Sequence, residues 1–304
     1  MNAITGPLVS VVIPTYNHAH FLGRALQSVL DQTYTNWEAI IVDNHSLDNT
    51  DEVVRSFKDP RITLLKIHNN GVIAASRNMG IRTAKGEWIA FLDSDDFWYP
   101  PKLELCLQKI ASGYDLVCHG EVWVSEQDGV KKSRKVLYGP EARATFHRLL
   151  FEGNCISTSA VVVSRRSLEA VGGFDESQDL ITAEDYHLWL KLAQAGVRIG
   201  FLREILGEYT IHSVNASKAA LRNMQAVRVI FEKTYAELEA HSLKTRIQAW
   251  RRRAIIDYGG ARGLQDNKEY LKACSWFLKA IVRWPFNPKF YAAILLNVFK
   301  APVK

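Results

Sequence analysis

Four times in the first 92 residues a short apolar run gives way to a stretch with helical spacing, and this alternation limits the fold more than any other feature. "LVSVVIP", "WEAIIVD", "RITLLKI" and "EWIAFL" read as buried strands bounded by turn formers. Between them, Phe21, Leu22, Ala25, Leu26, Val29 and Leu30 recur at helical spacing. Ser46 or Asp48 is placed to cap a short helix running to about Phe57, and residues from about Val72 to Thr83 read as a helix ended near Gly86. Repeated βα units imply an α/β fold, a mainly parallel sheet flanked by helices. Ligands of such sheets bind beyond the C-terminal ends of the strands, where Asp43 and Asp93 both lie.

After Pro100-Pro101 a helix is expected from Leu103, Leu105, Leu107 and Ile110. "YDLVCHG", "SAVVVS", "VRIGFL" and "GEYTIH" read as further strands, and residues 182–195 as a helix stopped by Gly196. Beyond Asn215 the chain turns helix-rich, with few turn signals apart from "YGGARG" and "WPFNP". A boundary near 216 is therefore expected, dividing a domain of 1–215 from a helical C-terminal region of 216–304. The charge changes at the same place. Residues 216–304 hold 17 Lys/Arg against 6 Asp/Glu, while residues 1–215 hold 21 against 26. A basic region of this kind suits an anionic membrane, an acidic protein or nucleic acid, or is an ordinary solvated face.

With 47% hydrophobic and 23% charged residues the chain is neither disordered nor fibrous. "YAAILLNVF" is too short to span a bilayer. "MNAITGPLVSVVIP" lacks the basic and apolar regions of a signal peptide. Cys106, Cys118, Cys155 and Cys274 fit no zinc or CxxC spacing and read as reduced thiols in a cytoplasmic protein.

"WIAFLDSDDFW" delivers Asp93, Asp95 and Asp96 at the end of a buried strand. Carboxylates so close resist burial without a cation or a donor among them. A calcium loop would need an oxygen ligand at 97 and Gly at 98, where Phe97 and Trp98 stand. An aspartyl phosphatase loop would want Thr or Val at 97. A D-x-D site holding Mg²⁺ or Mn²⁺ against a nucleotide diphosphate fits the hard oxygen donors. A single Asp here would serve as a cap for the helix entered at Pro100; three after a buried strand favour a site.

In order along the chain stand "VSVVIPTYN", "IIVDNHSLDNT", "GVIAASRNMGIRTAKGEWIAFLDSDD", "GGFDE", "AEDYHLWLKL" and "YTIH". Together, from about residue 9 to 217, they resemble family 2 glycosyltransferases with the GT-A fold. The resemblance implies an inverting transfer from a nucleotide-sugar donor, and it assigns roles. Pro14, Thr15 and Tyr16 would line the nucleotide pocket, with Tyr16 stacking on the base. Asp43, Asn44, Arg77, Asn78, Asp93, Ser94 and Asp95 would complete the donor site. The family often has Asp where Asn44 stands; its amide still offers a carbonyl acceptor to a uracil or thymine imide and fits guanine less well. His45 replaces the usual Gly. Asp95 and His212 would hold the metal, and Asp96, Trp98, Trp189 and Glu184 are candidates for sugar or acceptor contacts.

The resemblance makes Asp185 the catalytic base. The same segment also reads as a capping box, with Asp185 answering Thr182. Asp185 would deprotonate an acceptor hydroxyl that attacks the anomeric carbon, in one displacement with inversion. The implied partners are a UDP- or dTDP-sugar and a glycan or lipid-linked acceptor of bacterial-type surface polysaccharide synthesis, not nucleic acid. A scaffold that binds donor without turnover is one alternative, and an aspartyl phosphatase with Asp93 as its nucleophile is another. The tail pairs basic residues with interfacial aromatics in "WRRR" and "CSWFLKAIVRWPFNPKFYAAILLNVFK". That pattern suits peripheral docking on the inner face of an anionic membrane, or packing within the chain or in a homo-oligomer.

Overall fold

A computed structural model describes residues 6–127, 130–212, 219–239 and 241–300. The four sequence-read strands are β1 (Val9–Thr15), β2 (Trp37–Asp43), β3 (Ile62–Lys66) and β4 (Trp88–Phe91). Helices α1 (Ala19–Leu30), α2 (Thr50–Ser56) and α3 (Ile73–Thr83) connect them. The strands pair parallel in the order β3-β2-β1-β4. The chain steps outward from β1 to β3, then returns to the other side of β1 as β4. The switch point, where an α/β sheet binds ligands, therefore lies between the C-terminal ends of β1 and β4. Val9, Val11, Ile13, Trp37, Ala39, Ile41, Leu22 and Leu26 form part of the core beneath it.

Beyond β4 come β5 (Phe97–Trp98), α4 (Lys102–Ile110), β6 (Leu116–Gln127), β7 (Val130–Val136), α5 (Phe146–Glu152), β8 (Val161–Ser164), α6 (Arg165–Ala170), α7 (Glu184–Gln194) and β9 (Ile199–Ile211). The sheet continues as β4-β8-β6-β9-β5, with β7 on β6, and becomes mixed. β8 runs antiparallel to β4 and β6, while β6 and β9 are parallel. The two strands expected at "VRIGFL" and "GEYTIH" are the ends of one 13-residue strand, β9. Its register against β6 shifts around Gly120, which lets a single strand bend along the sheet. β7, "VKKSRKV", went unread because its charges hide the strand periodicity.

The chain divides into two compact units, one of Met1–Leu149, Asn154–Glu176 and Leu188–His212, the other of Leu150–Gly153, Ser177–His187 and Ser213–Lys304. The second contains α8 (Ala220–Ala236), α9 (Leu243–Asp266), α10 (Tyr270–Arg283) and α11 (Pro288–Lys300). Its helices close around Ala261, Leu264, Ala273, Phe277 and Ala293, and around Ala254, Ala280 and Phe290. "YGGARG", read as a turn, lies inside α9. A Cβ at Gly263 would come within 2.6 Å of Ala220 Cβ, so glycine here sets how closely α8 can approach. Among the described residues, no helix is long and apolar enough to cross a membrane.

Candidate active site

β4 delivers the carboxylate loop to the switch point, and each acid there finds a different environment. Asp93 Oδ1 accepts a hydrogen bond from Arg77 Nη2 at 2.8 Å, and its N–H donates to Ser159 Oγ at 3.1 Å. Arg77 is buried on α3, and its guanidinium lies 5.5 Å from the Phe174 ring. A buried arginine needs such a carboxylate.

Asp95 Oδ2 lies 2.8 Å from Nε2 of His212, just past the end of β9. Burial, and then the charge of Asp93, raise the Asp95 carboxyl above the usual carboxylate range, while His212 and His18 pull it down. The His212 ring stacks on Phe21 at 4.9 Å. Ser94 Oγ lies 2.9 Å from His18 Nδ1, and the His18 and His212 rings meet edge-on at 5.7 Å. Burial lowers the pKa of His18 against the pull of Asp95. His18 was not singled out from the sequence. Its signal was a histidine directly after "PTYN", at the strand end that the fold makes the switch point.

Asp96 is buried and accepts the Thr210 N–H at 2.9 Å. Burial, then Asp95, Glu121 and Asp93, push its pKa well up. Nearby, burial lowers the Lys102 amine to about 7 and raises the Glu121 carboxyl to about 7. Lys102 Nζ donates to the Val161 carbonyl at 3.2 Å and sits 3.4 Å from the Trp98 ring centroid. Trp98 is therefore core, not a platform for sugar: it is 1% exposed, and its Nε1 donates to the Ser159 carbonyl. Trp189 is likewise fully buried.

On the nucleotide side, Pro14 and Thr15 are buried at the end of β1, and Tyr16 is 51% exposed, open to a flat ligand. The Thr15 carbonyl accepts the Asn44 N–H at 3.0 Å, tying β1 to the loop after β2. Asp43, expected to contact donor, is fully buried. Its carboxylate accepts from the Ser46 N–H and from Lys66 Nζ at 2.5 Å. Asn44 Oδ1 accepts the Asn69 N–H at 2.9 Å. His45, exposed, stacks on His68 at 3.8 Å.

Asn78 was expected at the base or diphosphate. Its side chain instead clamps α3 to "GGFDE": Nδ2 donates to the Phe174 carbonyl and to Glu176 Oε1, and Oδ1 accepts the Phe174 N–H at 2.9 Å. Gly173 makes this possible, because a Cβ there would lie 2.6 Å from Asn78 Oδ1.

Glu184 and Asp185 belong to the second unit, at the start of α7. Thr182 has φ +82° and its N–H donates to Glu184 Oε2 at 2.9 Å. Glu184 thus makes the contact that the sequence assigned to Asp185. Asp185 Oδ1 accepts the Tyr186 N–H at 2.6 Å. Among the described residues no group of three or more His, Cys, Asp or Glu side chains is arranged to hold a metal.

A family model described as glycosyl transferase family 2 matches residues 10–172. The Escherichia coli UDP-Glc:alpha-D-GlcNAc-diphosphoundecaprenol beta-1,3-glucosyltransferase WfgD is 33% identical over 200 residues, 64% of this chain and 75% of its own. The putative teichuronic acid biosynthesis glycosyltransferase TuaG of Bacillus subtilis is 31% identical over 224 residues, 70% of this chain and 83% of its own. Residues 1–349 of S. aureus TarS, solved with UDP-GlcNAc, superpose with a TM-score of 0.66 at 17% identity, covering 96% of this chain and 88% of theirs. The Pyrobaculum calidifontis mannosyltransferase PcManGT, solved with GDP-Man and Mn2+, gives 0.62 at 19% identity, over 98% and 87%. At these identities the structural likenesses speak for the fold.

Proposed function

The chain belongs to glycosyl transferase family 2, and on that premise we propose that it moves a sugar, with inversion, from a UDP- or dTDP-sugar to a hydroxyl of a glycan or lipid-linked acceptor in bacterial surface-glycan synthesis. The observation that carries this reading is Asp95 against His212, 117 positions apart in sequence and 2.8 Å apart beside the Arg77–Asp93 pair. The named activity of the E. coli relative supports a diphosphate-linked lipid as the acceptor. Residues 1–215 are proposed as the catalytic domain and 216–304 as a basic helical region.

Tyr16 stacks on the base, and Asn44 reads its edge. Arg77, held by Asp93, faces the charge that grows on the departing diphosphate. Asp185 takes the acceptor proton as the hydroxyl oxygen attacks the anomeric carbon. Asp95 and His212 are the residues that would hold Mn²⁺ or Mg²⁺. One carboxylate and one imidazole suit Mn²⁺, and a cation bound with a diphosphate takes few protein ligands. Asp95, desolvated beside the charge of Asp93 and with its carboxyl raised, sits in an environment that a cation relieves. When bound, the cation neutralises diphosphate charge. The phosphatase reading is set aside, since Asp93, its nucleophile, is held by Arg77.

The test is hydrolysis and transfer across UDP- and dTDP-sugars, with and without Mn²⁺. One donor should turn over, with a Mn²⁺ enhancement that Asp95→Ala removes. UDP binding without turnover of any donor would leave the scaffold reading standing, and a Mn²⁺ effect that persists in Asp95→Ala would overturn the metal assignment.

A further inference from the structure

The helical unit carries a surface built unlike an ordinary solvated face. In the first two turns of α9, Leu243, Ile247 and Trp250 are exposed and lie along one stripe, flanked by exposed Lys244 and Arg251. Trp250 meets Trp284 edge-on at 5.5 Å, and Trp284 meets Phe286 at 5.3 Å. These contacts carry the apolar stripe onto the turn between α10 and α11, where Phe286 is 72% exposed. At that turn Arg251, Trp284, Phe286, Asn287, Pro288 and Lys289 line a cleft of about 430 Å³. Among the described residues of this unit, Arg228 and Arg283 pair with Asp257, Arg253 with Glu232, and Lys272 with Glu269. Arg251 and Lys289 take part in none of these. No acidic residue occurs at 241–256 or anywhere from 270 to 304.

We propose that this surface docks on an anionic phospholipid bilayer, with Arg251 and Lys289 taking a lipid phosphate in the cleft. Trp250, Trp284 and Phe286 would enter the headgroup region around it. Two cations on a cleft rimmed by large aromatics match a headgroup: a phosphate to pair, and glycerol and acyl carbons to cover apolar rings. A second copy of the chain would present the same uncompensated positive charge, and like charges oppose that pairing. The proposal rests on the transferase reading only in that a lipid-linked acceptor gives the docking a use.

Co-sedimentation of the full chain with phosphatidylcholine vesicles, with and without phosphatidylglycerol, tests it. Binding should require phosphatidylglycerol and weaken with salt. The double variant Arg251→Gln/Lys289→Gln, altered only at exposed positions, should bind about thirtyfold more weakly, at roughly fivefold per basic residue. Trp250→Ala should also weaken binding, and UDP affinity should stay unchanged in both variants, which separates this proposal from the catalytic one. Indifference of the full chain to phosphatidylglycerol while UDP still binds would overturn it. So would a concentration-dependent dimer that Trp250→Ala dissolves, which would make the face a subunit contact.

Discussion

Gly172 and Gly173 stand side by side, both with positive φ, at +73° and +66°. An alanine at either position carries the conformational penalty of the left-handed region, about 1–2 kcal/mol. At Gly172 nothing lies within 4 Å of the added Cβ, so that penalty is the whole cost. At Gly173 the methyl meets Asn78 Oδ1, which must move away. The three Asn78 hydrogen bonds to Phe174 and Glu176 then weaken or break. Displacing Oδ1 leaves the buried Phe174 N–H unpaired, which costs about 2–3 kcal/mol together with the weakening of the Nδ2 bonds. Gly173→Ala should therefore destabilise by about 3–5 kcal/mol, against about 1–2 kcal/mol for Gly172→Ala. Urea unfolding followed by circular dichroism, with m-values compared, measures both. Because the clamp fixes α3, which carries Arg77, Gly173→Ala should also lower donor affinity in calorimetry while Gly172→Ala should not. Equal losses of stability in the two variants would show that the Asn78 clamp contributes nothing.

Asp185→Asn keeps the shape of the α7 N-terminus, and with Glu184 already bonded to the Thr182 N–H it should melt within a few degrees of the parent. Transfer should fall by a hundredfold or more at nearly unchanged donor affinity, and surviving turnover with lost stability would make Asp185 a structural residue instead. Lys102→Met addresses the buried amine whose pKa falls to about 7. Between pH 7 and 10.5 the unfolded chain binds more protons at Lys102 than the folded one, so parent stability should rise with pH through that window, by up to about 4–5 kcal/mol from this group. Lys102→Met should remove that rise, and at pH 7 it should gain a net of about 1–3 kcal/mol after losing the bond to Val161; parallel stability–pH curves for parent and variant would mean that Lys102 stays charged when folded.

The local pattern was enough for β1 to β4 and their helices, since apolar runs and helical spacing are properties of neighbouring residues. It was also enough to place Asp93, Asp95 and Asp96 at a strand's C-terminal end. Tertiary structure alone decided what each residue touches. Trp98 and Trp189 look alike in sequence to sugar-stacking rings, yet folding buries both. Asp43 looks like a ligand for donor, but Lys66 of the neighbouring strand takes its carboxylate. Asn78 reads as a contact for the diphosphate, but the "GGFDE" loop, 96 positions on, claims its amide. The merging of two short strand signals into β9 carries His212 to Asp95, and no local period encodes that pairing across 117 positions. His18 joins the same cluster because strand order sets the end of β1 beside the end of β4. Sequence periodicity specifies which elements form and which face they bury. The contacts among their ends follow from the order and register of strands far apart in the chain, which only the packed sheet fixes.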